Sequence, residues 1–387
     1  MHTSLPNQLQ NADLVYGQTR LWYHLRMKSF EGQTEMGQNN LDGNHSDLPQ
    51  AKHSRSSAVN RIIAKDGLKA EEIEHEYEEK LRASMYAEYA QEVEKSPAAK
   101  ELIGFLVSAV PDFLERYGAE KFPINEDNVR FVTEGKEIRK GHTHEAGCYS
   151  MGLQAAFVWR KEGEKQPYSL LLETAAHELV HFTSFQSVEA GNAGDRERRF
   201  GLEVIQQDSK VAFTDMNEAI TEELTTRCMN DLRNRGDLPP MLTMALEQNE
   251  AMKTKYVLDT DKFNLIISEL SKHYDKAGLP EFTEALKKLT QEEISRLFLC
   301  YVDLEKHFQM VASYLLERIA LYKILSKIFD AHRSEFETEE DVFGVFARAA
   351  MDGHILELAR LIEGTFGKGS FRRIGENSMT KFLQSIE

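Results

Sequence analysis

The pattern of hydrophobic and polar positions changes character several times along the chain. Residues 1–57 are rich in Gln, Asn, Ser, Gly and His and hold neither a helical nor a strand period, which predicts a disordered tail, although Leu21-Trp22-Tyr23 could dock on the folded part. From about Ala58 to Glu94 the pattern turns helical and strongly charged, and the run Glu71–Glu79 predicts a solvated helix face. KSPAAKELIGFLVSAVPDFLERYG then predicts a more buried helix entered at Ser96-Pro97, so that 58–120 form an N-terminal helical region.

After Gly118 the period shortens. Val129–Thr133 and Gly152–Arg160 carry strand patterns, separated by the polar connector GKEIRKGHTHEAG. Tyr168 to Gln186 is helical, with Leu171, Leu172, Ala175, Leu179, Val180 and Phe182 giving a broad apolar surface. GNAGDRERR has the composition of a loop, Phe200–Gln206 and Val211–Phe213 that of a hairpin, and a second helix is expected from about Asp215 to Arg233. These elements make 121–235 the candidate core. From Pro239 onward the pattern is almost wholly helical. It includes a long segment from Gln291 to Ile328 and a final pair at Glu339–Ala350 and Ile355–Phe366, with FGKGSF as a helix stop. The expected fold is α+β and mostly helical: a small mixed β-sheet packed on the 168–186 helix, followed by a helical C-terminal subdomain over 236–387.

Composition narrows the partners. A chain of 387 residues is long enough for two or three structural units and a sizeable core. A formal net charge of −16 repels polyanions, which argues against nucleic acid as a partner. No stretch approaches the roughly 20 apolar residues that span a bilayer, so no membrane partner is expected. The start, MHTSLPNQLQ, lacks the pattern of a secretory signal, and the 3 cysteines, Cys148, Cys228 and Cys300, are odd in number and scattered. A reducing, cytoplasmic setting is the expectation. Oligomeric state is not legible.

Candidate chemistry sits in ETAAHELVHFTSF. Side chains four apart stack on one helical face, so His177 and His181 can present imidazoles to one point, while Glu178 points to the neighbouring edge. A carboxylate there can reach a metal-bound water without ligating the metal, which is why this spacing suits metal-assisted hydrolysis. Two histidines that merely share an amphipathic helix would give the same five letters. A third histidine at the short spacing is absent, because Ser184 and Ser187 occupy the places of the glycine and the histidine. The helix DMNEAITEELTTR offers Glu218 and Glu222, four apart on one face, beside Asn217; Asp215 and Glu218 could equally form a capping box.

HELVH followed by NEAITE resembles the active-site signature of gluzincin-type metallopeptidases, the thermolysin-like clan, and above all its small bacterial and archaeal members with a helical C-terminal part. The resemblance covers about residues 147–233 and is specific in these two motifs. It implies a zinc-dependent endopeptidase acting on peptide or protein substrates. One Zn2+ would be bound by His177, His181 and Glu218, with Glu178 as general base and Glu222, beside Asn217, supporting the first histidine. Thermolysin-like members have an aspartate where this chain has Glu222, and their downstream histidine motif has no counterpart here. The donor that stabilises the oxyanion is therefore open among Tyr314, Arg318, Tyr322 and His354. The strand before the active-site helix, with Gly152, Leu153, Gln154, Ala155 and Ala156, is the expected edge for an extended peptide.

Other readings stay open. EAGCYS is similar to the cysteine segment of peptide deformylases, which would make Cys148 the third ligand, although GLQAA follows the cysteine here and precedes it in that family. A catalytically silent zinc fold serving as an interaction module would not need Glu178. His142 and His144 share a strand face but fit a solvated loop better than a second metal site. The C-terminal helices or the tail NSMTKFLQSIE could cover the cleft and keep an enzyme latent.

Overall fold

The computed structural model describes residues 57–256 and 300–386, apart from 66, 84–91, 134–146, 161–167, 192–193, 209, 237, 305–306 and 312–313; of 257–299 only isolated positions are described. The expected tail at 1–56, and His142 and His144, lie outside the described residues. The architecture is α+β, dominated by helices with two small mixed sheets and a β-hairpin.

The helix that carries HELVH, α3 (Tyr168–Thr183), lies at the centre. Leu171, Leu172, Ala175, Ala176, Leu179, Val180 and Phe182 are all buried, so the helix is apolar almost all round, as a core helix must be. It packs against α2 (Pro97–Leu114), which Ser96 caps by accepting the Ala99 N–H at 3.2 Å. On another side it meets α4 (Thr214–Arg233) and α5 (Pro240–Tyr256). Helix α3 ends at Thr183, short of the expected Gln186. The Ser184 hydroxyl takes the His181 carbonyl at 2.7 Å and the Phe185 N–H turns outward to the Ala350 carbonyl at 3.0 Å, so the helical ladder has no continuation.

A three-stranded sheet in the order β2 (Val129–Thr133), β4 (Ala155–Arg160), β3 (Gly147–Ser150) lies on α3; β2 runs parallel to β4 and β3 antiparallel to it. This corrects the expected substrate edge. Gly152 and Leu153 belong to a 3-10 turn, and Gln154 is left-handed (φ 49°) and buried, its amide oxygen accepting the Ala58 N–H. Ala155 and Ala156 open the middle strand, where both edges are already paired. Glu92 and Val93 bond to β2 on the sheet's far side, and β3 is its last strand on the other.

A second, five-stranded sheet has the order β1 (Arg61–Ala64), β5 (Gln186–Gly191), β6 (Gly194–Phe200), β7 (Glu203–Ile205), β8 (Val211–Ala212). Two expectations fail here. Residues 61–64 are a strand and not a helix, because Asn60 and Gln186 exchange bonds that lock β1 parallel to β5, and α1 begins only at Ala70 (Ala70–Ala83). GNAGDRERR is not a loop: β6 pairs antiparallel with β5, and Arg198 reaches Glu189 across the ladder at 2.6 Å. The β7–β8 hairpin is present as expected.

In the C-terminal part the long helix expected from Gln291 to Ile328 is interrupted. Cys300–Leu304 (β9) and His307–Val311 (β10) pair as an antiparallel hairpin, in keeping with the β-forming residues Tyr301, Val302 and Val311, and β9 lies against α3 and α5. Helix α6 spans Leu315–Ala331, followed by α7 (Glu339–Asp352), α8 (Ile355–Phe366), α9 (Ser370–Glu376) and α10 (Met379–Gln384). One cluster of buried apolar residues runs from Ala58 through α2, α3, α4, α6 and α7 to Leu383. No helix among the described residues is long and apolar enough to cross a membrane.

Candidate metal centre

The polar face left on α3 by its apolar packing consists of His177, Glu178 and His181, one helical turn from first to last. The two imidazoles stand at 80° with ring centroids 4.8 Å apart. Helix α4 lies opposite and brings Glu218 between them: its Oε2 is 3.5 Å from His177 Nε2 and 3.3 Å from His181 Nε2. These three residues offer one ligand atom each, all within 4.8 Å of one another, and could hold a metal ion. Glu218 Oε2 is buried between the two imidazole nitrogens, where a cation would offset the cost of burying its charge.

The far side of each ring is also engaged. His177 Nδ1 meets Glu222 Oε2 at 2.7 Å, and His181 Nδ1 lies 3.5 Å from the Thr221 hydroxyl. With Glu222 ionised, His177 donates through Nδ1–H and turns its Nε2 towards Glu218. Burial pulls the His177 pKa down, but the hydrogen bonds it donates to Glu218 and Glu222 more than compensate and raise it well above the ordinary histidine value. Burial pushes Glu218 the other way. The charge of His181 and the hydrogen bonds to both rings outweigh it and hold the carboxyl well below the usual carboxylate range.

The helix start explains why Glu218 is available. The residue before α4 is Phe213, left-handed at φ 66° and without a side-chain cap, so the expected capping box around Asp215 does not form. Asn217 is corrected too: its Oδ1 accepts the Leu202 N–H at 2.9 Å, and it supports the corner after β6 rather than a histidine.

Glu178 is buried at 5 % exposure and flanks the triad on the β3 side. A Cβ on Gly147 would come within 3.0 Å of Glu178 Cγ and 2.8 Å of Thr174, so the glycine is what lets β3 lie this close to α3. Cys148, the next residue, faces the opposite side of the strand, among Ala155, Phe157 and Trp159. Glu218, and not Cys148, therefore joins the two histidines.

Of the four donor candidates, Tyr314 stands at the triad. Its ring is parallel to that of His177, 7° between planes and 5.9 Å between centroids, and its backbone is left-handed at φ 53° where α6 begins. Arg318 is fully buried and bonds Glu223 at 2.9 Å and Thr226 at 3.2 Å. Tyr322 also serves Glu223, while burial raises its pKa above the usual phenol range. His354 is 84 % exposed beside Asp352. Sequence reasoning missed Phe200, whose ring stacks on His181 at 5.0 Å, and Tyr149, which stacks on Phe200 at 5.4 Å. Phe200 was visible only as the start of a hairpin, and Tyr149 lay in no expected element.

No protein-family model, curated protein or solved structure matches the chain.

Proposed function

We propose that the ion held by His177, His181 and Glu218 is zinc and that the protein is a zinc metallopeptidase. The observation that carries this reading is the meeting of a His-His-Glu ligand set with a glutamate, Glu178, that flanks it without joining it. Ligand atoms about 2.0–2.1 Å from a tetrahedral zinc lie roughly 3.3–3.4 Å apart. The separations of 3.3 Å and 3.5 Å from Glu218 to the two rings suit that geometry. The burial of that Glu218 oxygen between the two rings suits it as well.

Zinc there would supply a Lewis acid for a carbonyl oxygen and a water acidified to a pKa of about 7. Glu178 accepts the proton of the attacking water and returns it to the leaving amine. Tyr314 offers a neutral hydroxyl donor to the developing oxyanion.

The test combines metal analysis with cleavage of a broad peptide library. One zinc per chain, cleavage by the wild type and loss of cleavage in a zinc-loaded Glu178→Gln variant are expected. Stoichiometric zinc with no cleavage of any peptide would replace the peptidase with a silent zinc fold. Full activity in Glu178→Gln would refute the mechanism.

A further inference from the structure

Arg199, at the end of β6, is a half-buried arginine answered by carbonyls. Its Nε donates to the Gly201 carbonyl at 2.8 Å, and its two Nη groups donate to the Gly353 and Ala349 carbonyls, at 2.5 Å and 2.8 Å, at the C-terminal end of α7. The guanidinium also lies 4.7 Å over the ring of Phe185. A helix C-terminus welcomes a cation. Burial nevertheless pushes the group down to about 10, with Asp352 offsetting only part of the cost. The three carbonyl bonds tie the end of β6 to the end of α7.

The next three residues touch both ligand-bearing helices. Phe200 stacks on His181 of α3. The Gly201 N–H donates to the Phe185 carbonyl, just past the end of α3, at 2.7 Å. Gly201 is left-handed at φ 56°, and a Cβ there would lie 2.2 Å from Asn217 Oδ1, so only glycine admits the contact. The Leu202 N–H donates to that same Asn217, the residue before Glu218 on α4. A four-residue corner thus bears on His181 from one side and on the helix of Glu218 from the other, and its anchor lies on a third helix.

We infer that Arg199 is a positioning residue that sets the spacing of the metal ligands. By fastening the Arg199–Leu202 corner to α7, it holds Phe200 against His181 and Leu202 against Asn217. This rests on the metal half of the proposed function and not on peptide hydrolysis. Neither HELVH nor NEAITE contains any residue of the Arg199–Leu202 corner, and α7 lies far from both in sequence.

The experiment measures zinc affinity and the visible spectrum of the cobalt-substituted full-length chain, with folding checked by circular dichroism. Arg199→Met and Phe200→Leu are each expected to weaken zinc binding by about 10–100-fold, the range for groups that orient metal ligands, and to alter the cobalt bands. Because Phe200 is one of the two contacts through which Arg199 acts, the double variant is expected to lose less zinc affinity than the sum of the two single losses. Arg199→Lys, which keeps a cation for the α7 carbonyls, should recover part of the affinity. Wild-type affinity and an unchanged cobalt spectrum in folded Arg199→Met would overturn the inference, as would full additivity of the two single effects. Should Arg199→Met not fold, Phe200→Leu, which leaves the anchor intact, carries the test: unchanged zinc affinity there overturns the inference. Affinity is read here, not turnover, so a wild type that binds zinc and cleaves nothing would refute the peptidase and leave the positioning role standing.

Discussion

His177 shows how much of the chemistry resides in single contacts. Its ring has Glu218 on one nitrogen and Glu222 on the other, and these hydrogen bonds raise its pKa against the pull of burial. A raised histidine contributes stability that is fully present below its unfolded value of about 6.5 and is lost as pH climbs through the folded value. Glu218, held low, contributes stability that is present above the ordinary carboxylate range and lost as pH falls through its own lowered value. The metal-depleted chain should therefore be most stable from above the ordinary carboxylate range up to the ordinary histidine range, which a series of thermal melts against pH would show. Zinc needs a neutral ring, so loading the site at about neutral pH must expel the His177 proton. Zinc titration calorimetry in buffers of different ionisation enthalpy should show that release. In Glu222→Gln, where the ring loses a charged partner, fewer protons should leave and zinc affinity should fall about 10-fold or more. Equal proton release in the two proteins would mean that Glu222 does not hold the ring's charge.

At the scale of elements, close approach decides which strand serves the site. Gly147 puts β3 where any side chain would collide with Thr174 and Glu178, whereas Gly152, in the turn that follows, has open space where a Cβ would be. Gly147→Ala should cost about 1–3 kcal/mol of stability by overpacking, and should reduce peptide cleavage by displacing Glu178. Gly152→Ala should leave both close to wild type. Urea unfolding of the pair, with rates on one library substrate, checks this; equal behaviour would dismiss β3 as the strand at the site. The same elements show what the sequence could disclose. Helices α3 and α4 were legible because a 3.6-residue period and the spacings of His177, His181, Glu218 and Glu222 coincide, while the choice of Glu218 as third member came from the resemblance of the two motifs. The β5–β6 pair was illegible because β6 is almost wholly polar and its cross-strand contacts are ionic. Arg198 and Lys65 converge on Glu189, Arg196 bonds the Gln206 carbonyl, and no alternation of apolar residues betrays a strand. Strand β1 was hidden within a charged helical pattern, since its pairing depends on Asn60 meeting Gln186, a contact far apart in sequence. The substrate edge was misassigned because strand order is a tertiary property: nothing local says that Ala155–Arg160 is a middle strand.

At the scale of the whole molecule, the C-terminal helices bear on whether the site is covered or supported. A cover that kept the enzyme latent would be expected to come away without loss of the fold. The contacts describe something else. The Phe213 N–H at the start of α4 donates to the Gly375 carbonyl at 3.1 Å, its ring lies 4.6 Å from that of Phe371 at a 33° tilt, and a Cβ on Gly375 would lie 2.6 Å from the Phe213 ring. Helix α10 follows and packs on α6, the helix that begins just after Tyr314, burying Met379, Phe382 and Leu383. Each such side chain contributes about 1.5–3 kcal/mol when fully buried, roughly 4.5–9 kcal/mol for the three. A domain's whole stability is only about 5–15 kcal/mol. Truncation after Gly375 should therefore abolish cooperative melting or lower the midpoint severely, and with it zinc retention and cleavage. A latent enzyme predicts the opposite sign: a truncated chain that melts like the wild type and cleaves faster. Melting curves and rates measured on the two proteins side by side separate a support from a lid, and the burial of α10 favours the support.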